Sequence, residues 1–242
     1  MRLKVWDGVR AFFGGCGFIV TTPRVWPFAM VPVLVALFLA TGIGALGIWG
    51  AWRAALAILS GDSAWAETGR WLIAIVFGLV ALLVALLVAI SLAQPLSGFA
   101  LDYIVRRQER ALGSTHTWPD QKFFPQFFRS LSVNLTALAI GLPLIAVLTA
   151  IELLAPPAAI VTIPLKFVVS ALMVSWDFLD YPLGMRGAGV GARMQFMGKN
   201  FWPVLVFGLL GALVLLVPGL GLLLLPMGAA GATRMVLESE RS

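Results

Sequence analysis

The residues best suited to chemistry in this chain sit in one short stretch, Thr21-Thr22-Pro23-Arg24-Val25-Trp26-Pro27. Thr22 has the side chain of a good helix N-cap, and Pro23 suits the first helical position, where no N–H is needed. A helix that begins there presents the amides of Arg24, Val25 and Trp26 at its positive dipole end. With an arginine on it, such an end suits a tetrahedral oxyanion. The same residues also read as an ordinary span start, with a tryptophan anchor at the interface and a cytoplasmic arginine.

A second group comprises polar residues inside otherwise apolar runs: Gln94, Asn134, Glu152 and Lys166, with Asp177 and Asp180 near an interface. An ionisable side chain at mid-bilayer costs about 2.5–3.5 kcal/mol on insertion scales, so each is a functional candidate. Glu152 and Lys166 lie on opposite arms of one predicted hairpin, where they either pair directly or separate, Lys166 snorkelling and Glu152 exposed at the tip. Arg106, Arg107 and Arg110, interleaved with Asp102 and Glu109, read as a solvated face against lipid headgroups; an entry surface for anions is the alternative.

Enzyme signatures are absent. Gly42-Ile-Gly44-Ala-Leu-Gly47 has the spacing of a dinucleotide loop, but it sits in a charge-free run with no strand before it. It reads instead as a small-residue packing face. With one histidine, His116, and one cysteine, Cys16, neither a histidine-containing triad nor a cysteine-rich metal site can be assembled. No catalytic residue, metal or cofactor is expected. His116 reads as a solvated loop residue, and a single cysteine excludes an intramolecular disulfide.

The elements that must position these residues belong to a membrane. Hydrophobic residues make up 60% of the 242 and charged residues 12%, against roughly 25% charged in a soluble domain. No charge falls between Val25 and Trp52, Trp71 and Leu101, or Phe201 and Thr233. Each run is long enough for a hydrocarbon core that needs about 20 apolar residues. The net charge of +6 is scattered at span ends, a pattern that orients a protein in a membrane and does not track nucleic acid.

Met1 to Phe18 reads as an amphipathic interfacial helix with basic residues at 2, 4 and 10, and with no cleavable signal. The first span runs from about Pro27 to Trp52 or beyond. The second runs from Trp71 to about Ala100 and continues as a charged helix to Leu112, after a loop with Gly61, Asp62 and Ser63 as turn residues. Two hairpins follow, turning at Pro156-Pro157 and at Pro218-Gly219-Leu220-Gly221. Arms of about 17 residues rise roughly 25 Å, short of a core of about 30 Å. The turns also lack the polar residues of a loop in water, so the tips are expected to stay inside or barely cross. A full span with a tight turn is the alternative. Of 17 Lys and Arg, all but Arg53, Arg70 and Lys166 then fall on one side, which places both termini in the cytoplasm.

Several segments together resemble the CysZ family, which includes the etoposide-induced membrane proteins. They are Phe18 through Val33, Leu92-Ala-Gln-Pro95 leading into a charged helix, Asp180-Tyr-Pro-Leu183, Pro218-Gly219, and Pro226 through Thr233. The resemblance implies an all-α integral membrane protein with two long transmembrane helices, two partly penetrating helical hairpins and interfacial amphipathic helices. It covers nearly the whole chain, which is expected to form a single membrane domain, 1–242, with an interfacial helix at 1–18, long helices at 25–58 and 71–112, and hairpins at 131–176 and 201–235. It further implies a homo-oligomer in the bacterial inner membrane that moves sulfate. The family's site uses a Pro-Gly-Leu-Arg-type stretch at the start of the first long helix. Here those positions hold Pro23, Arg24, Val25 and Trp26, so the basic residue is displaced by two positions, about 200° around a helix.

Two readings stand. The first is a permease or channel for sulfate or a related small oxyanion, without ATP hydrolysis. Arg24, Val25 and Trp26 bind the anion in this reading, and Gln94, Asn134 and Lys166 line the path. The second is a membrane-shaping or scaffolding envelope protein with no transport activity. A continuous polar path separates the first from the second.

Overall fold

The computed structural model describes residues 3–61, 63–116, 118, 123–217 and 220–241, without the side chains of residues 123, 126, 127, 129 and 130. Arg2, Asp62 and the Pro218-Gly219 turn therefore lie outside the described residues. Apart from turns and short connections, the described residues are helical, with no strand among them. The chain divides into two compact units, Val31–Ser97 and Met1–Met30 with Gly98–Ser242.

The first unit is a helical pair, α3 (Val31–Ile58) and α4 (Ala64–Leu96). Ser63 starts α4 by accepting a hydrogen bond from the Ala66 amide at 3.2 Å, a side-chain N-cap. Apart from Pro32 and Pro95, the buried residues are Ala and Gly: Ala36, Gly44, Ala51 and Ala55 on α3, and Gly78, Ala85, Ala89 and Ala93 on α4. Leu34, Phe38, Leu46, Leu79, Leu83 and Leu87 point outward and are exposed. Small residues inside and large apolar ones outside are what a lipid solvent selects, because close backbone packing holds the helices while the tails solvate the rest. Gly44 and Gly47 lie in this seam, and a Cβ on Gly47 would stand 2.7 Å from that of Ala81. Gly42, the third glycine of the motif, has nothing within 4 Å, so the packing face is narrower than its spacing suggested. The Trp52 and Trp71 rings lie 5.0 Å apart at one end of the pair.

The sequence boundaries shift in three places. The helix expected over 25–58 is interrupted: a 3-10 turn at Pro23–Val25 and a short α2 (Trp26–Ala29) precede α3. Pro27 and Pro32 each lack the N–H that a continuous helix would use there. The helix expected over 71–112 begins earlier, at Ala64, and is broken at Ser97 before α5 (Gly98–Ala111). Pro95 removes one ladder donor just before that break.

In the second unit, α1 (Val5–Thr21) buries Gly8, Ala11, Phe12, Gly15 and Ile19, one face of the helix. That face packs on α9 (Phe201–Leu215) and α10 (Gly221–Arg241). A Cβ on Gly15 would lie 2.4 Å from the Gly231 amide nitrogen, and one on Gly8 would lie 2.2 Å from the Pro203 carbonyl oxygen. Phe12, Phe178, Val204, Phe207 and Met235 form the centre of a buried cluster. The amphipathic face of α1 is thus spent on protein, while Val5, Trp6, Phe13 and Val20 remain exposed.

The first hairpin is α6 (Phe123–Leu154) and α7 (Ala159–Met185), joined through a 3-10 turn at Pro156–Ala158. Helix α8 (Val190–Lys199) follows and meets α9 at a 98° bend. Asn200 holds that bend, donating to the Phe196 carbonyl and accepting from the Leu3 amide. Four helical stretches among the described residues are long and apolar enough to cross a bilayer: Pro23–Ile58, Ala64–Leu96, Leu131–Leu154 and Pro156–Met185. The apolar arms of the first hairpin, 24 and 30 residues, rise about 36 and 45 Å. The expectation of short arms therefore fails there. It holds for α9, whose 15 residues rise about 22 Å.

Candidate functional site

The turn that opens the chain's first apolar run is held from inside. Val25 is fully buried in a cluster with Ile19, Leu101, Ile104, Tyr181 and Ala229. Phe28 stacks on Tyr103 of α5 with ring centroids 4.0 Å apart. The Trp26 indole N–H donates to the Ile19 carbonyl at 2.8 Å. Arg24, between these anchors, is exposed and has no hydrogen-bond or ion-pair partner among the described residues.

The amides of the turn differ from expectation. The Thr22 side chain makes no capping bond. The Val25 amide donates to the Thr22 carbonyl at 3.0 Å, and the Trp26 amide donates to the Pro23 carbonyl. A 3-10 turn closes its hydrogen bonds one residue earlier than an α-helix, which consumes donors that an α-helical start would leave free. Two of the three amides expected for an anion are spent in this way. Val25 and Trp26 anchor the turn with their side chains, and Arg24 is left with its donors uncommitted.

Around the same cluster lies a charged network that the spacing did not reveal. Glu109, almost fully buried, accepts the Trp118 indole N–H at 2.8 Å and pairs with Arg186 at 2.8 Å. Arg186 also pairs with Glu240 of α10 and stands 5.0 Å over the Trp118 ring. Burial works against the Arg186 charge, but its hydrogen bonds and ion pairs with Glu240 and Glu109 outweigh it and hold the group above the ordinary arginine value. Arg106 donates to the Trp118 carbonyl at 2.5 Å, so the α5 face is not simply solvated. Glu109 falls in register with the buried residues Leu101, Ile104, Val105 and Gln108. A carboxylate on an apolar stripe was the available signal. Deeper in the unit, Arg193 pairs with Asp180 and donates to the Ala188 carbonyl at 3.0 Å, both charged side chains being buried. His116 is exposed, edge-on to Trp118.

Of the expected lining residues, Asn134 and Lys166 share the seam between α6 and α7, whereas Gln94 belongs to the other unit. Asn134, Ala137, Gly141, Ile145, Leu148 and Glu152 make one stripe along α6, each at least partly buried. Lys166 pairs with Glu152 across the hairpin. At the other end the Trp176 indole donates to the Val133 carbonyl at 3.2 Å. The Asn134 side-chain oxygen and the Gln94 side-chain nitrogen are buried without partners. Between the two ends of the seam lies a cavity of about 260 Å³, lined by Ala137, Gly141, Leu144, Val169, Met173 and Trp176 among others. Its lining is apolar. The seam thus joins Asn134 to Lys166 through hydrocarbon, and no continuous polar path runs along it among the described residues.

A family profile described as "Sulfate transporter CysZ/Etoposide-induced protein 2.4" matches residues 11–226. This chain belongs to that family. Among curated members of the CysZ family, a sulfate transporter CysZ of Pectobacterium atrosepticum is 24% identical over 98% of this chain and 86% of its own length. Two of Pseudomonas fluorescens, also named sulfate transporter CysZ, are 31% and 30% identical over 32% and 39% of this chain. Those two matches span about a third of the relatives' length, 31% and 34%. Membership in the CysZ family and the four apolar helices together make this chain a multi-pass α-helical membrane protein.

Proposed function

We propose that this chain is a permease or channel for sulfate or a closely related oxyanion, working without ATP hydrolysis in a bacterial inner membrane as a homo-oligomer. Both termini face the cytoplasm in this reading. One observation carries it beyond the family name: Arg24 is an uncommitted guanidinium on a turn whose neighbours are locked in place. A cation whose donors are unspent, on a backbone that cannot swing, binds an oxyanion without first breaking another contact. The displaced arginine thus does the work that the family's stretch gives to a residue two positions later. Val25 and Trp26 contribute by fixing the turn, and the Arg24 amide is the remaining backbone donor.

The apolar cavity between Asn134 and the Glu152–Lys166 pair favours the second reading, a membrane-shaping or scaffolding protein, and one experiment separates the two. Labelled sulfate uptake is measured in vesicles holding the wild type, Arg24→Ala, or no protein. Loss of a charged hydrogen-bonding partner worth about 1.5–3 kcal/mol should cut uptake roughly ten- to hundredfold at low sulfate. Uptake by folded wild type no faster than by empty vesicles sinks the permease reading.

A further inference from the structure

Glu152 and Lys166 are the only ionisable residues between Leu131 and Trp176, and they form a pair across the first hairpin. The pair is not sealed: the two side chains keep 26% and 25% of their surface exposed. Among the described residues Glu152 is the one partner of Lys166, so one of three ammonium donors is in use. Thr162 lies one turn before Lys166 on the same face of α7. It is buried, and its hydroxyl has no partner. A serine or threonine hydroxyl on a helix ordinarily bonds back to the carbonyl four residues earlier, as Thr136 and Thr149 do on α6. Thr162 makes no such bond, and unlike Ser175 of the same helix, which donates to the Val204 carbonyl, its buried hydroxyl has found no other acceptor.

We infer that Lys166 and Thr162 form a second oxyanion site, kept closed in the empty protein by Glu152. The chemistry follows from the donor set. A lone ammonium in a low-dielectric setting needs an anion beside it, and the Glu152 carboxylate fills that place through one hydrogen bond. A tetrahedral dianion offers four oxygens to the remaining Lys166 donors and to the Thr162 hydroxyl. Only an anion can displace Glu152 without leaving the cation bare, so the pair discriminates by charge. Glu152 is therefore a built-in competitor: it weakens binding and lets a bound anion leave. This inference rests on the permease reading, and it adds a site at the opposite end of the seam from Asn134.

The test combines sulfate uptake into vesicles with equilibrium binding of labelled sulfate to the detergent-purified protein. Glu152→Gln keeps the side chain's shape and removes the competitor, so KM and Kd for sulfate should fall about tenfold. Thr162→Val should raise KM several-fold, and Lys166→Met about tenfold or more, whereas Lys166→Arg should stay near wild type. Lys166→Met leaves Glu152 unpaired and can fail to fold, so the deciding variant is Glu152→Gln with Lys166→Met, which carries no charge at all. If the pair is only a neutral staple, that double variant transports with wild-type KM, and the inference is overturned. If it folds and shows the loss seen for Lys166→Met, the inference stands. If the wild type binds sulfate but moves none, the permease reading fails alone, and tighter binding by Glu152→Gln still upholds the second site. If Glu152→Gln binds no better than wild type, the second site is overturned whatever uptake shows.

Discussion

Arg193 and Asp180 are buried as a pair, and a buried pair is defined more by what its loss costs than by what it contributes. Asp180→Ala leaves the buried Arg193 guanidinium with one carbonyl to bond. The expected loss is roughly 3–5 kcal/mol, large enough to read in detergent as a lowered thermal midpoint or poor recovery of folded protein. Conversion of both to apolar residues should recover much of it. Cys16 makes a second residue-scale prediction. Burial pushes its thiol above the ordinary value and outweighs a backbone hydrogen bond that pulls the other way. The nucleophile is the thiolate, so alkylation by iodoacetamide at neutral pH should be slower than for a free cysteine. The rate should climb only as pH rises past the ordinary thiol range. Alkylation at the rate of glutathione would refute this.

At the scale of the helix, close approach decides which glycines matter. Gly15 of α1 meets the backbone of α10, whereas Gly17, two residues later, has nothing within 4 Å. Gly15→Ala should push α1 off α10 and destabilise by about 1–3 kcal/mol, the range for overpacking. Gly17→Ala should be neutral or favourable by up to about 1 kcal/mol, because alanine is the better helix former. Thermal midpoints of the two variants, measured side by side, check the contrast. An equal response would mean that α1 lies on the membrane surface without docking on α10. The same logic separates Gly47 from Gly42 on α3.

For the whole molecule, orientation is the property open to direct measurement. Single cysteines in a Cys16→Ala background should report it: Ser63→Cys, before α4, should react with a membrane-impermeant maleimide in intact spheroplasts. Lys199→Cys, at the end of α8, should react only after permeabilisation. The reverse pattern would overturn the placement of both termini in the cytoplasm, which rests on the lysine and arginine bias.

The membrane class, the helical fold and the family were all legible in the chain. Charge-free runs and the order of weak motifs survive any arrangement of the helices. Prolines were legible as punctuation, but where they break the helices depends on which carbonyls find other donors. The candidate site was only partly legible. Thr22 to Trp26 was singled out by residue type, yet the three-dimensional turn spends the amides of Val25 and Trp26 and leaves Arg24 free. Glu109, Arg186 and Glu240 are far apart in the chain and meet only because α5, the end of α7 and α10 converge. A local sequence window records what each residue is able to do, and the packed chain decides which donors and charges are already taken.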